Sequence, residues 1–220
     1  MLQYIFMKRI QGFSDIDLAR NNAIYDSYYK SFDVDGWSSD DKQYNFSHLS
    51  KVASISGSSF ENASVLDVGC GTGDFAPYLR KKGVTSYLGV DIYAPAILWA
   101  RQKYPMVRFM VLDILAEEPL GKFDFVFCSG ALSVRLPKTG NYDFFAAMLK
   151  AMWHMTKKGL ALNVLTDDDP DPDPDLFYYN IEKVKNICKK VAPKANMLII
   201  PTPLGEGRDY NAQSHIYLSR

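Results

Sequence analysis

Cysteine is scarce in this chain: Cys70, Cys128 and Cys188 are the only three in 220 residues. They are odd in number and far apart, with no Cys-x-x-Cys spacing. That excludes a disulfide framework and a thiolate zinc site, and a reducing compartment such as the cytoplasm is expected. An excess of either charge is also missing, with 25 Lys and Arg against 25 Asp and Glu. Proteins that hold nucleic acid through its phosphates usually carry a basic excess, so the neutral balance argues against a nucleic-acid partner. The opening MLQYIFMKRI is briefly apolar. It is too short to span a bilayer and lacks a small-residue cleavage pattern, so neither membrane anchor nor signal peptide is expected. No metal site and no internal repeat is read. What remains is ordinary for one soluble domain with a sizeable core, at 47% hydrophobic and 23% charged residues.

The front of the chain reads as helical. Ser14 followed by Asp17 resembles a capping box, and apolar positions from Ile16 to Ile24 predict a helix over 14–31. A turn at 33–36 and Trp37 precede Ser39, the expected N-cap of a second helix reaching about Ser56. Residues 1–62 therefore form a helical cap rather than a separate domain. From Ala63 the rhythm changes to short apolar runs alternating with helical patterns, the signature of βαβ units around a parallel sheet. Strands are predicted at 64–68, 86–91, 107–112, 123–129, 159–165, 197–200 and 214–218. Helices are predicted near 74–82, 94–104, 142–156 and 181–191, the last capped by Asn180. The run 167–175, with its alternating Asp and Pro, reads as a solvated acidic loop.

The most informative segment joins the first strand to the next helix through Asp67, Val68, Gly69, Cys70, Gly71, Thr72, Gly73 and Asp74. Glycines here let the backbone turn sharply and approach a ligand, and the helix start offers free N–H groups. A dinucleotide fingerprint, GxGxxG, would require glycine where Asp74 stands. The acid Asp67, just ahead of the glycines, would repel a pyrophosphate and suits a ligand with an ammonium group. Asp91 ends the second strand, 18 residues after Gly73, where a carboxylate can accept both hydroxyls of a ribose. Asp113 follows the third strand, and Ser129 and Gly130 follow the fourth.

The order and spacing of these elements resemble class I S-adenosylmethionine-dependent methyltransferases, whose first motif is an acid followed by GxGxG. The likeness runs from residue 64 onward, and is nearer to small methyltransferases of unassigned substrate, which often share a segment like Phe177-Tyr178-Tyr179. It implies a Rossmann-like, doubly wound α/β sheet of seven strands over 63–220, the last strand antiparallel. It also implies S-adenosylmethionine as cofactor and S-adenosylhomocysteine as product. The cofactor residues would be Asp67, Gly69, Cys70, Gly71 and Gly73 at the methionine end and Asp91 at the ribose. Ile92 would lie on the adenine face, Asp113 and the backbone of Ile114 at the adenine edge, and Ser129 and Gly130 by the donated methyl.

No Asn-Pro-Pro-Tyr or Asp-Pro-Pro-Tyr follows strand four, which argues against methylation of adenine or glutamine amines, and no Pro-Cys stands there for cytosine-ring chemistry. A small-molecule acceptor is the expectation that remains. Methyl transfer is an in-line displacement on an activated carbon, so alignment and water exclusion matter most. His48, His154 and His215 carry no signal that makes one a base, and no catalytic residue is assigned. Tyr25, Tyr28, Tyr29, Trp37, Tyr178 and Tyr179 are candidates for a lid, with ordinary packing as the alternative. Two rival functions stand beside this one: a cofactor-binding regulatory protein without catalysis, and a nicotinamide-dependent oxidoreductase.

Overall fold

The computed structural model describes residues 15–28, 38–116, 120–202 and 212–220. Seven strands form one sheet: β1 (Ser64–Val68), β2 (Ser86–Asp91), β3 (Arg108–Val111), β4 (Phe123–Cys128), β5 (Thr156–Leu165), β6 (Asn196–Thr202) and β7 (Gln213–Ser219). Their spatial order is β3-β2-β1-β4-β5-β7-β6. All pairings are parallel except those of β7, which runs antiparallel to both β5 and β6. The expected doubly wound sheet with an antiparallel last strand is therefore present.

Alternation along the strands feeds two cores. Phe125 and Phe127 of β4 face one layer with Val65 and Tyr217, while Val126 and Cys128 face the other with Leu66, Ile216 and Leu218. Such strands are apolar on both faces because helices cover both. The first layer comprises α2 (Ser39–Leu49), α3 (Val52–Ile55), α4 (Phe75–Arg80) and α5 (Ala94–Lys103), the second α6 (Asn141–Met155) and α7 (Ile181–Val191). Leu49 and Val52 are completely buried. Asn180 caps α7 as expected, its side chain accepting from the Lys183 N–H at 3.2 Å.

Two expectations about the front of the chain change. The helix read from Ser39 to Ser56 is two helices. Around the break, the hydroxyls of Ser47, Ser50 and Ser54 bond carbonyls three residues back, competing with regular helical bonding. Ser39 is the first helical residue rather than the cap. In α1 (Asp15–Tyr28), Asp17 has a role that its place in the sequence did not show. It is fully buried and accepts from the backbone N–H groups of Lys138 and Thr139, at 3.0 and 2.8 Å. Those long-range donors fasten α1 to the loop ahead of α6, where Ile24 packs on Val134 and Leu136. Ser14, Tyr29, the turn at 33–36 and Trp37 lie outside the described residues.

Candidate functional site

The glycine turn leaves β1 at its carboxyl end and enters α4. Gly69, Gly71 and Gly73 all have positive φ, at 71°, 52° and 79°. At two of them a neighbouring side chain also leaves no room for a Cβ. A Cβ on Gly69 would stand 2.2 Å from Ala131 Cβ, and one on Gly73 would stand 2.4 Å from the Phe109 ring. The turn is stitched to the end of β2. Gly69 and Cys70 donate to the Val90 carbonyl at 2.8 and 3.1 Å, and Gly71 donates to Asp91 Oδ2 at 2.9 Å.

Asp91 is therefore more than a strand-end acid. Its second oxygen, Oδ1, accepts from Tyr93 N at 2.9 Å, and α5 begins without any side-chain cap. Each carboxylate oxygen keeps lone-pair capacity beyond one backbone donor, so ribose hydroxyls could still bind. Burial raises the Asp91 pKa while the N–H groups of Tyr93 and Gly71 oppose the rise. Asp91→Ala should accordingly act twice. Affinity for S-adenosylhomocysteine should fall at least about tenfold, and stability should fall by roughly 1–3 kcal/mol as two N–H groups lose their acceptor. Calorimetric titration and a denaturation midpoint on the same protein separate the two. Unchanged affinity with lowered stability would retire the ribose role.

Asp67 is 2% exposed, and Tyr87 donates to its Oδ2 at 2.5 Å. Burial lifts its pKa from 3.8 to about 7; the Tyr87 hydrogen bond opposes this, and the nearby Asp91 charge adds to it. Asp67 lines one cleft with Gly69, Cys70, Gly71 and Ser129, so five of the expected residues meet there. No described cation lies within ion-pair distance of Asp67. A buried carboxyl lining a cleft beneath a glycine turn fits a ligand ammonium.

Other expected residues lie around this cleft or away from it. Asp113 closes a local turn, accepting from Leu115 N at 2.9 Å. Ile92 is half-buried. The Ile114 side chain lines a separate groove beside α6, with Ala147 and Ala151. Gly130 donates its N–H to Asn163 Oδ1 at 2.9 Å. Tyr179 is core rather than lid. It is fully buried, and its hydroxyl donates to the Leu132 carbonyl at 2.9 Å. Tyr178 is half-buried, its hydroxyl accepting from Asp173 N at 2.9 Å. Tyr25, on α1, stands 5.7 Å from the Tyr93 ring, and the Tyr93 hydroxyl donates to Asp26.

Two groups in or beside the cleft carried no motif in the sequence. The first centres on Asp74, where Oδ2 accepts from Lys42 Nζ at 2.7 Å, and Oδ1 from Lys103 Nζ at 2.7 Å and Tyr104 OH at 2.6 Å. Burial works to raise this carboxyl, but the bonds from Lys103, Lys42 and Tyr104 overcome it and hold the pKa at about 2. The second is a buried chain of amides. Asn163 Nδ2 donates to Gln213 Oε1 at 2.9 Å and to Asn45 Oδ1 at 3.3 Å, and His215 Nε2 lies 3.1 Å from the same Asn45 oxygen. Burial, with repulsion from His48 and Lys51, lowers the His215 pKa from 6.5 to about 3. His215 is thus neutral, and with Nε2–H donating to Asn45 its Nδ1 accepts from Thr202 Oγ1 at 3.3 Å. Asn45 lines the cleft, so the chain links the cleft wall to the last strand.

Comparison with known proteins agrees with this layout. Residues 65–159 match the model of a methyltransferase domain. A putative methyltransferase, 235L, of Invertebrate iridescent virus 6 is 32% identical over 93 residues, which are 41% of this chain and 34% of that protein. The chain thus spans about a third of the length of that curated relative. Among solved structures, Burkholderia thailandensis 1,6-didemethyltoxoflavin-N1-methyltransferase superposes with a TM-score of 0.69 at 15% identity, covering 97% of this chain and 92% of that one. The magnesium protoporphyrin IX methyltransferase of Synechocystis PCC 6803, solved with bound SAM, gives 0.64 at 19% identity, covering 96% and 100%. At these identities the likeness to solved structures is one of fold.

Proposed function

We propose that this chain is a class I S-adenosylmethionine-dependent methyltransferase that binds its cofactor in the Asp67–Ser129 cleft and methylates a small-molecule acceptor, a reading supported by the match of residues 65–159 to a methyltransferase domain. The observation that carries the reading is the glycine turn itself. An ammonium-seeking acid, Asp67, stands at one end, and a carboxylate pinned for a ribose, Asp91, at the other. When bound, the cofactor supplies a methyl carbon already activated by its sulfonium, so the protein is left to position and to exclude water. Asp67 would hold the ammonium, Asp91 the ribose and Asp113 the adenine edge. Asn163, through Gly130, would hold the loop after β4 against the donated methyl. In this reading α1 and α2 close the acceptor side of a cofactor domain formed by residues 63–220.

The names of two structural relatives specify 1,6-didemethyltoxoflavin and magnesium protoporphyrin IX as substrates, and the neutral charge balance agrees with a small acceptor over nucleic acid. Cys128 and Cys188 are buried free thiols, in keeping with a reducing, cytoplasmic setting. No helix among the described residues is long and apolar enough to cross a membrane. Against a nicotinamide cofactor stands Asp74, a carboxylate held ionised at the start of α4, where a pyrophosphate would have to bind.

Binding to the native state alone stabilises it by about 2.7 kcal/mol at a hundredfold excess over Kd. In a chain of this size that amounts to roughly 5–10 °C in Tm. S-Adenosylhomocysteine should give such a shift and NAD none. The reverse pattern would overturn the reading. Transfer of labelled methyl from the cofactor to a component of a metabolite extract separates an enzyme from a binding protein without catalysis.

A further inference from the structure

The groove beside α6 shares no lining residue with the Asp67 cleft and measures about 520 Å³. Clefts of roughly 300–1,000 Å³ are those that enclose small organic molecules. Its floor is apolar, formed by Ile114, Leu115, Ala151, Trp153, Met155 and Val191. Its charge is of one sign. Lys150 and Arg220 border it, and among the described residues no carboxylate does. Neither cation forms an ion pair with a described residue.

Arg220 is fixed in advance. Its Nε donates to the Thr156 carbonyl at 2.8 Å and its Nη2 to the Trp153 carbonyl at 3.0 Å, at the end of α6. The guanidinium lies 4.5 Å from the centre of the Trp153 ring. A guanidinium has five N–H donors, so these two bonds leave others for an anion. A cation already held in place loses little freedom when a ligand arrives. Lys150 and His154 are four residues apart on α6, and Ala147 and Ala151 likewise, so all four share one face of that helix.

We propose that this groove binds a free amphipathic organic anion, a carboxylate on an apolar body. The body covers the Trp153 floor and removes it from water, and the carboxylate meets Lys150 and Arg220. The concave shape favours a single molecule over an anionic bilayer, whose flat surface cannot follow the wall down to Met155, which is buried. An apolar floor also offers nothing to a nucleic-acid backbone, whose binding rests on phosphate contacts. This site does not depend on the cofactor assignment.

The test uses calorimetric titration with decanoate and with decyltrimethylammonium, which carries the same tail on a positive head, both below micellar concentration. The unmodified protein should bind decanoate saturably and at least about tenfold more tightly than the cation. Lys150→Glu should weaken decanoate at least about tenfold and narrow or reverse that preference. Ala151→Trp should fill the groove and weaken decanoate by a similar factor. A cooperative thermal transition shows that each variant is folded, and if Ala151→Trp lacks one, Lys150→Glu carries the test. Equal affinity for the two amphiphiles, or decanoate binding unmoved by Lys150→Glu, would overturn the proposal. Glu117 and Glu118 follow Leu115 closely in the sequence. Decanoate binding seen only with Glu117→Gln and Glu118→Gln combined would make the chain's own acids the occupant, and would overturn it too. So would sedimentation with phosphatidylglycerol vesicles in the absence of decanoate binding, which would make this face a membrane contact.

Discussion

Asp67→Asn should stabilise the ligand-free protein at pH 8 and cost it cofactor affinity. The Asp67 carboxyl titrates at about 7 in the fold, because burial disfavours its charge, against an ordinary value of 3.8. Between those values the folded state holds a proton that the unfolded state has released, so stability falls as pH rises from about 4 to about 7 and levels off above. The interval corresponds to roughly 4 kcal/mol at most, at 1.36 kcal/mol for each pH unit. Asparagine keeps an oxygen for the Tyr87 hydroxyl and carries no charge, so the variant should lack this slope. Its advantage should be near zero at pH 4 and largest at pH 8. S-Adenosylhomocysteine should bind at least about tenfold more weakly to it, since the ammonium loses its counter-charge. The unmodified protein should also release a proton on binding at pH 6, read as a dependence of calorimetric heat on the buffer's ionisation enthalpy, and the variant should release none. Parallel pH–stability curves for the two proteins would contradict this account of Asp67.

Gly69→Ala should be the most damaging single-methyl change in the turn. The added carbon would stand 2.2 Å from Ala131 Cβ, on a backbone with φ of 71°. A left-handed conformation costs a non-glycine residue roughly 1–2 kcal/mol, and overpacking typically adds 1–3. A loss of roughly 2–5 kcal/mol follows, or about 5–15 °C in Tm. Relief requires Ala131 to move, which displaces the loop carrying Ser129 and so the wall of the cleft. Cofactor affinity should therefore fall by tenfold or more. Gly57→Ala isolates the two causes, because Gly57 has a φ of 64° and nothing within 4 Å of the added carbon. It should show the strain alone, about 1–2 kcal/mol, with binding intact. If the two variants behave alike, the contact with Ala131 is not what requires glycine at 69.

The glycine turn was legible in the sequence because its physics is local. Strand, turn and helix are contiguous, and the positive φ angles leave a glycine at each place. Asp91 was legible for a related reason, since a strand end has a fixed register against the turn beside it. The amide chain was not legible, because Asn45 and His215 are 170 residues apart and each alone is an unremarkable polar residue. Asp74 read as a helix start, and only the folded neighbours Lys42, Lys103 and Tyr104 reveal it as the knot between α2, α4 and α5. For Tyr179 the sequence left a lid and ordinary packing open, and the fold decides for packing, since Tyr142, Phe145 and Phe177 enclose it.

The position of β7 bears on how this chain can be made. β7 follows β6 in the sequence but lies between β5 and β6 in the sheet, with seven residue pairs to each neighbour. Until residues 213–219 leave the ribosome, β5 presents an open edge to the cell and β6 has nothing to pair with. An unpaired edge of this kind is a template for joining other chains. Its exposure ends only when β7 is inserted. Polypeptides released short of β7 should accordingly be found in the insoluble fraction rather than as a smaller folded protein.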